Sequence, residues 1–165
     1  MGHHAVAPEG THAMDVSLLK QADIFADLDD DELATVADVC SEQRFSRGQK
    51  IFNEGDPGNR LFIISDGEVR ISREVPGSGE EALTVLKRGA CFGEMSVFDR
   101  SVRSTDAIAN TGCTLITIGR PDFEMLLDFN RDIAYKVLWS VVHLMSRRLR
   151  VANDNLRSFL AMSMF

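Results

Sequence analysis

No stretch of this chain is apolar for long enough to cross a bilayer. Runs such as Leu61 to Ile64 break off after a few residues, whereas a spanning helix needs roughly 20. Positive charge is in short supply too: 18 Lys and Arg stand against 25 Asp and Glu, for a net charge of −7. That balance argues against a surface built mainly to hold DNA or an anionic membrane. Cysteine is scarce: Cys40, Cys91 and Cys113 are odd in number and widely spaced, with no CxxC and no histidine nearby. A disulfide framework or zinc clip is therefore not expected, and the three read as small core hydrophobes in a reducing cytoplasm. Histidine is limited to His3, His4, His12 and His143, none of them in an expected strand. A metal-dependent barrel enzyme needs histidines and carboxylates converging in the barrel. No Ser/His/Asp or Cys/His set stands out either. The chain is not expected to be an enzyme, and no metal or cofactor is expected.

Linkers and repeats are lacking as well. No Gly/Pro/Ser-rich segment divides the 165 residues, a length that suits one domain with a proper core. The opening MGHHAVAPEGTHAM does not have the basic-then-apolar layout of a signal peptide. Residues 1–14 read as a disordered arm or an appended remnant, and residues 15–165 as the domain. With 44% hydrophobic and 26% charged residues, that domain has the composition of a soluble globular protein.

What is present falls into three textures. Residues 17 to 43 read as helical: DDDELATVADVCSEQ opens with acids suited to a helix N-terminus and places Leu33, Val36, Ala37 and Cys40 on one face. From Arg44 to about residue 119, short β-rich runs (LFIIS, VRISREV, ALTVLK, TDAIA, TLITI) alternate with turn clusters such as NEGDPGN, SDG and VPGSGEE. About eight short strands imply an α+β domain built on an antiparallel barrel or jelly roll. Helical spacing returns at about residues 120–160. Pro121 suits a first helical position, and Asn130 is a plausible N-cap for a long second helix.

In that helix Leu138, Val142, Met145, Leu149, Ala152, Leu156 and Phe159 recur at heptad spacing. The seam can pack on the barrel of its own chain or on a second copy. Its length, beyond any strand left to cover, favours a homodimer through this helix.

The stretch CFGEMSVFDRSVRST poses a charge problem. Glu94 and Arg103 stand in apolar surroundings, and buried charges are costly unless paired. One solution is a Glu94–Arg103 ion pair across a closed barrel. The other is a ligand. A helical turn starting near Gly93 offers free backbone N–H groups, Arg103 matches phosphate geometry, Ser104 adds a hydroxyl, and Glu94 accepts from sugar hydroxyls.

IFNEGDPGNRLFIISDGEVRI followed by FGEMSVFDRSVRSTD resembles the cyclic nucleotide-binding domain family, the sensor module of the bacterial catabolite activator, of cyclic-nucleotide-dependent kinases and of gated channels. The resemblance runs over about residues 17 to 160. Its phosphate-binding cassette is matched by Phe92, Gly93, Glu94, Met95, Ser96, Arg103 and Ser104. By that resemblance, Glu94 with the Gly93 backbone would hold a ribose 2′-hydroxyl and Arg103 a cyclic phosphate. Ser104 would donate to the phosphate or to the purine, and the amide of Thr105 would complete the phosphate cradle. Thr105 departs from the family's usual Ala, which leaves open a degenerate or retuned domain that serves as an interaction module. Ser104, rather than Thr, tilts the expected ligand towards cyclic AMP, with cyclic GMP open.

RRLRVANDN resembles the helix that covers the base in the catabolite activator. Asn153 is its candidate base reader, while Ala152 has no side-chain hydrogen bond to give. Arg147, Arg148 and Arg150 form a basic run that is either solvated or edges the pocket. Since the residues after this helix are too few for a recognition helix, this chain alone is expected to hold neither nucleic acid nor membrane.

Overall fold

A computed structural model describes residues 16–163; the expected arm at 1–14 lies outside the described residues. The domain opens with α1 (Val16–Gln21), a 3₁₀ turn (Asp23–Phe25) and α2 (Asp30–Ala37). The acids before Leu33 do what their position suggests. Asp29 accepts from the Glu32 amide at 2.9 Å, and Glu32 accepts from the Asp29 amide at 2.9 Å, a closed capping box.

Eight strands follow among the described residues: β1 (Ser41–Phe45), β2 (Lys50–Phe52), β3 (Arg60–Asp66), β4 (Val69–Val75), β5 (Gly79–Leu86), β6 (Cys91–Phe92), β7 (Asp106–Ala109) and β8 (Cys113–Gly119). They form two four-stranded sheets, ordered β1-β8-β3-β6 and β2-β7-β4-β5, with every pairing antiparallel. A short α3 (Glu94–Asp99) interrupts the strands, and α4 (Arg120–Phe129) and α5 (Arg131–Ser163) close the chain.

The helical reading of residues 17 to 43 runs too far. Ser41 to Gln43 belong to β1, whose register runs from Ser41 opposite Thr117 to Phe45 opposite Cys113. The polar SEQR carries no local strand signal. Its backbone is taken by β8, and the Ser41 and Thr117 hydroxyls meet at 2.8 Å. Pairing overrides propensity at this edge.

The continuous apolar run of β3 has a direct cause. Leu61 and Ile63 pack into a cluster with α1, α2, α4 and α5, while Phe62 and Ile64 point into the barrel. β8 repeats the division, with Ile116 and Ile118 outward and Cys113 and Leu115 inward. A strand buried on both faces loses its alternation. The sheet containing β3 and β8 is thus a wall shared by two cores. Gly67 turns β3 into β4 at φ 81°, where any Cβ would collide with the Gly112 carbonyl.

The three cysteines are free thiols, and burial pushes Cys40 up to about 12. Asn130 sits at the α4–α5 junction, but its side chain donates to the Leu126 carbonyl at 2.9 Å, finishing α4 instead of accepting at the start of α5. Along α5 the stripe packed on the domain is Ile133, Val137, Ser140 and Leu144. The heptad seam lies mostly on another face: Leu138, Val142, Leu149, Leu156 and Phe159 are each 50–64% exposed, whereas Met145 of the same seam packs against the core.

Candidate functional site

β6 delivers Phe92 into the barrel, stacked on Phe62 at 5.1 Å. Gly93 follows at φ 73° and caps α3 without a side-chain bond. Its bare Cα also makes room, since an added Cβ would lie 2.7 Å from Nη1 of Arg103. α3 then begins with Glu94, 2% exposed. Met95 turns outward at 47% exposure, and Ser96 turns inward against Gly58.

Glu94 and Arg103 do not pair with each other. The Glu94 carboxylate takes a charge-assisted bond from Nη1 of Arg148, which reaches down from α5. Arg103 is 4% exposed. Its Nη1 donates to the Gly93 carbonyl at 2.8 Å and its Nη2 to the Arg60 carbonyl at 2.6 Å. Its Cζ lies 4.2 Å from the centroid of the Phe52 ring. Among the described residues no carboxylate lies within ion-pair distance of Arg103, and its buried Nε has no hydrogen-bond partner. Burial lowers its pKa, and the more distant charges of Glu94 and Asp56 act in the other direction. An arginine remains cationic under such a pull. The site therefore holds a desolvated cation without an anion.

The loop beneath is fastened to the cassette. The Arg103 amide donates to the Asp56 carbonyl and the Gly55 amide to the Arg103 carbonyl, both at 2.8 Å. Arg73 on β4 bridges Glu54 and the Ser104 carbonyl, at 3.0 and 3.2 Å. Asp106 accepts from the Glu54 amide at 2.6 Å and from Lys50 at 3.0 Å; that amide first, and Lys50 after it, hold its carboxyl below the usual range. Ser104 is exposed and Thr105 half-buried at the rim.

A cleft of about 730 Å³ lies beside the cassette, between α5, the N-terminal helical segment and the β5–β6 turn. Leu86, Cys91, Gln21, Arg148, Ala152 and Asn155 are on its wall. Arg148 joins the two compartments by lining the cleft and holding Glu94. Asn153 is exposed and does not line the cleft; the asparagine of that turn which does is Asn155.

The sequence brings Phe92, Gly93, Glu94 and Arg103 to one place, and the structure does the same. It adds Arg148, which the basic run contained without ranking, and Phe52 and the Arg60 carbonyl, which carried no signal. Only the burial of Glu94, which demands a counter-charge, could have singled out an arginine on the covering helix. Among the described residues there is no cluster of metal-ligating side chains, and no helix is long and apolar enough to cross a membrane.

A sequence profile of the cyclic nucleotide-binding domain matches residues 42–130. The CRP-like cAMP-activated global transcriptional regulator of Mycobacterium tuberculosis is 32% identical over 139 residues, covering 84% of this chain and 60% of that protein. The cGMP-dependent protein kinase egl-4 of Caenorhabditis elegans is 29% identical over 118 residues, covering 70% of this chain and 15% of the kinase. The crystallised N-terminal domain of a transcriptional regulator from Streptomyces coelicolor superposes with a TM-score of 0.73 at 34% identity, covering 84% of this chain and 94% of that one. The chain thus spans 60% of the first of these relatives and 15% of the second.

Proposed function

The chain belongs to the cyclic nucleotide-binding domain family, and from that membership we propose that it is a sensor for a cyclic nucleotide, cyclic AMP in preference to cyclic GMP. One observation carries the reading: Arg103 is buried, has no carboxylate partner and keeps an unpaired Nε among the described residues. A cyclic phosphate supplies the missing anion. The ribose 2′-hydroxyl then donates to Glu94, and Ser104 and the Thr105 amide close the rim over the phosphate. The base extends towards the cleft under α5, where Leu86 offers apolar contact and Asn155, in place of Asn153, offers an amide edge. Ser104 after the cassette arginine favours cyclic AMP. The domain binds and signals without doing chemistry, and a diffusible intracellular ligand places it in the cytoplasm.

The signal leaves through α5. Glu94 is already engaged by Arg148, so a hydroxyl arriving at that carboxylate must share or break the bond that ties the helix to the cassette. A ligand shifts a conformational equilibrium only by its differential affinity for the two states, and this shared acid supplies the difference. The apolar seam of α5 would carry the change to a second copy of the chain.

Calorimetry with cyclic AMP and cyclic GMP tests the proposal. Saturable one-to-one binding of cyclic AMP, tighter than cyclic GMP, is expected. Arg103→Ala should weaken it at least about 100-fold, because two charge-assisted bonds contribute roughly 1.5–3 kcal/mol each. Absence of binding by either nucleotide at millimolar ligand would refute the sensor. It would leave the domain as an interaction module.

A further inference from the structure

We propose that Phe52 is the positioning residue for the phosphate-binding guanidinium: its ring holds Arg103 in place as a buried, undischarged cation. This rests on Arg103 serving an anion, as argued above.

A buried charge must be compensated. The two carbonyls that Arg103 bonds are neutral acceptors, and Glu94 is occupied by Arg148. The nearest remaining partner is an aromatic face. Phe52 lies 4.2 Å from Cζ of Arg103, and Phe62 lies 5.7 Å away, both within the reach of a cation–π attraction. Phe52 is itself braced. Its centroid is 5.8 Å from Phe62 and 6.0 Å from Phe92, and those two rings stack on each other. It comes from the end of β2, where the pairing with β7 slips register, directly before the loop that is bonded to the backbone of Arg103.

The choice of partner has a functional consequence. A carboxylate at this place would spend the guanidinium's N–H groups and repel an incoming phosphate. A ring attracts the cation through its π face and takes none of the donors. Nε–H is left unspent and the charge unneutralised. The guanidinium is thereby oriented before the ligand arrives, which lowers the ordering cost of binding.

The test uses the full chain and cyclic AMP affinity. Phe52→Leu should weaken binding about tenfold, the ordering cost of one long side chain, while Phe52→Tyr, which keeps the ring, stays within about threefold of the parent. Phe52→Leu added to Arg103→Ala should cost nothing further. Equal losses in the Leu and Tyr variants, an unchanged Leu variant, or additive losses in the double variant would overturn the proposal. A ligand-free arm separates it from the sensor reading. In urea unfolding, a double-mutant cycle of Phe52→Leu and Arg103→Met should show coupling of about tenfold in the unfolding constant. If the parent binds no cyclic nucleotide, the sensor reading fails, and this cycle still decides: coupling upholds the Phe52–Arg103 contact and its absence overturns it.

Discussion

Two charged side chains of opposite sign, nine positions apart and both buried, would ordinarily neutralise each other. Here Glu94 is paired by Arg148, while Arg103 is held by two carbonyls and a ring with its charge unneutralised. On the proposed reading, the separation leaves a place for a ligand that bears both a hydroxyl donor and an anion. The cassette was legible in the sequence because its charge problem is compressed into one short stretch. Its partners were not, because Phe52 and Arg148 lie some fifty residues away on either side and nothing local marks them.

Asp106 shows how tightly the floor of this site is held, and it makes a pH prediction. Its folded-state pKa is depressed by the Glu54 amide and by Lys50. Its contribution to stability is therefore complete above the unfolded value of about 4 and fades as pH falls through the lower folded value. Urea midpoints measured from pH 5 downward should fall in the parent chain. Asp106→Asn should start lower at pH 5 and lose less on acidification. Parallel curves for the two proteins would show that Asp106 does not contribute in this way.

Strands β3 and β8 were readable as strands but not as a shared wall, since an apolar run does not say which of its faces meets which core. β1 was misread because an exposed edge strand is free to be polar. α5 was readable in length and period, and its ties were not. Lys136 reaches Glu32 at 2.7 Å, Ser140 reaches Asp27 at 3.2 Å, Arg147 reaches Asp23 at 2.8 Å, and Arg148 reaches Glu94. Burial ranks two of these ties. Asp23 and Arg147 are both more than half exposed, whereas Glu94 is 2% exposed and Arg148 44%. Arg147→Met should cost at most about 1 kcal/mol. Arg148→Met strands a buried carboxylate and should cost about 1.5–3 kcal/mol, less than a wholly buried pair because Arg148 is partly solvated. Denaturant unfolding of the two variants checks the ranking; equal losses would mean that the Glu94 bond does not fasten the helix.

The assembled chain leaves one large surface unexplained by its own packing. The first turns of α5 are docked through Ile133, Val137, Ser140 and Leu144, and every described residue from Arg147 onward is exposed. Isolated helices of this remaining length are marginal in water, yet the segment carries Leu149, Val151, Leu156, Phe159 and Leu160 at 51–64% exposure. Covering such side chains is worth roughly 1.5–3 kcal/mol each, the scale on which a helix pair becomes stable. Heptad spacing of Val142, Leu149 and Leu156 suits a twin helix in a coiled coil. Sedimentation equilibrium should return twice the chain mass. The double variant Leu149→Glu, Leu156→Glu should sediment as a monomer and lose helical ellipticity from the end of α5, while the barrel, with its separate cores, stays folded. A parent chain that sediments as a monomer at high micromolar concentration, with α5 helical throughout, would show that the seam needs no second copy.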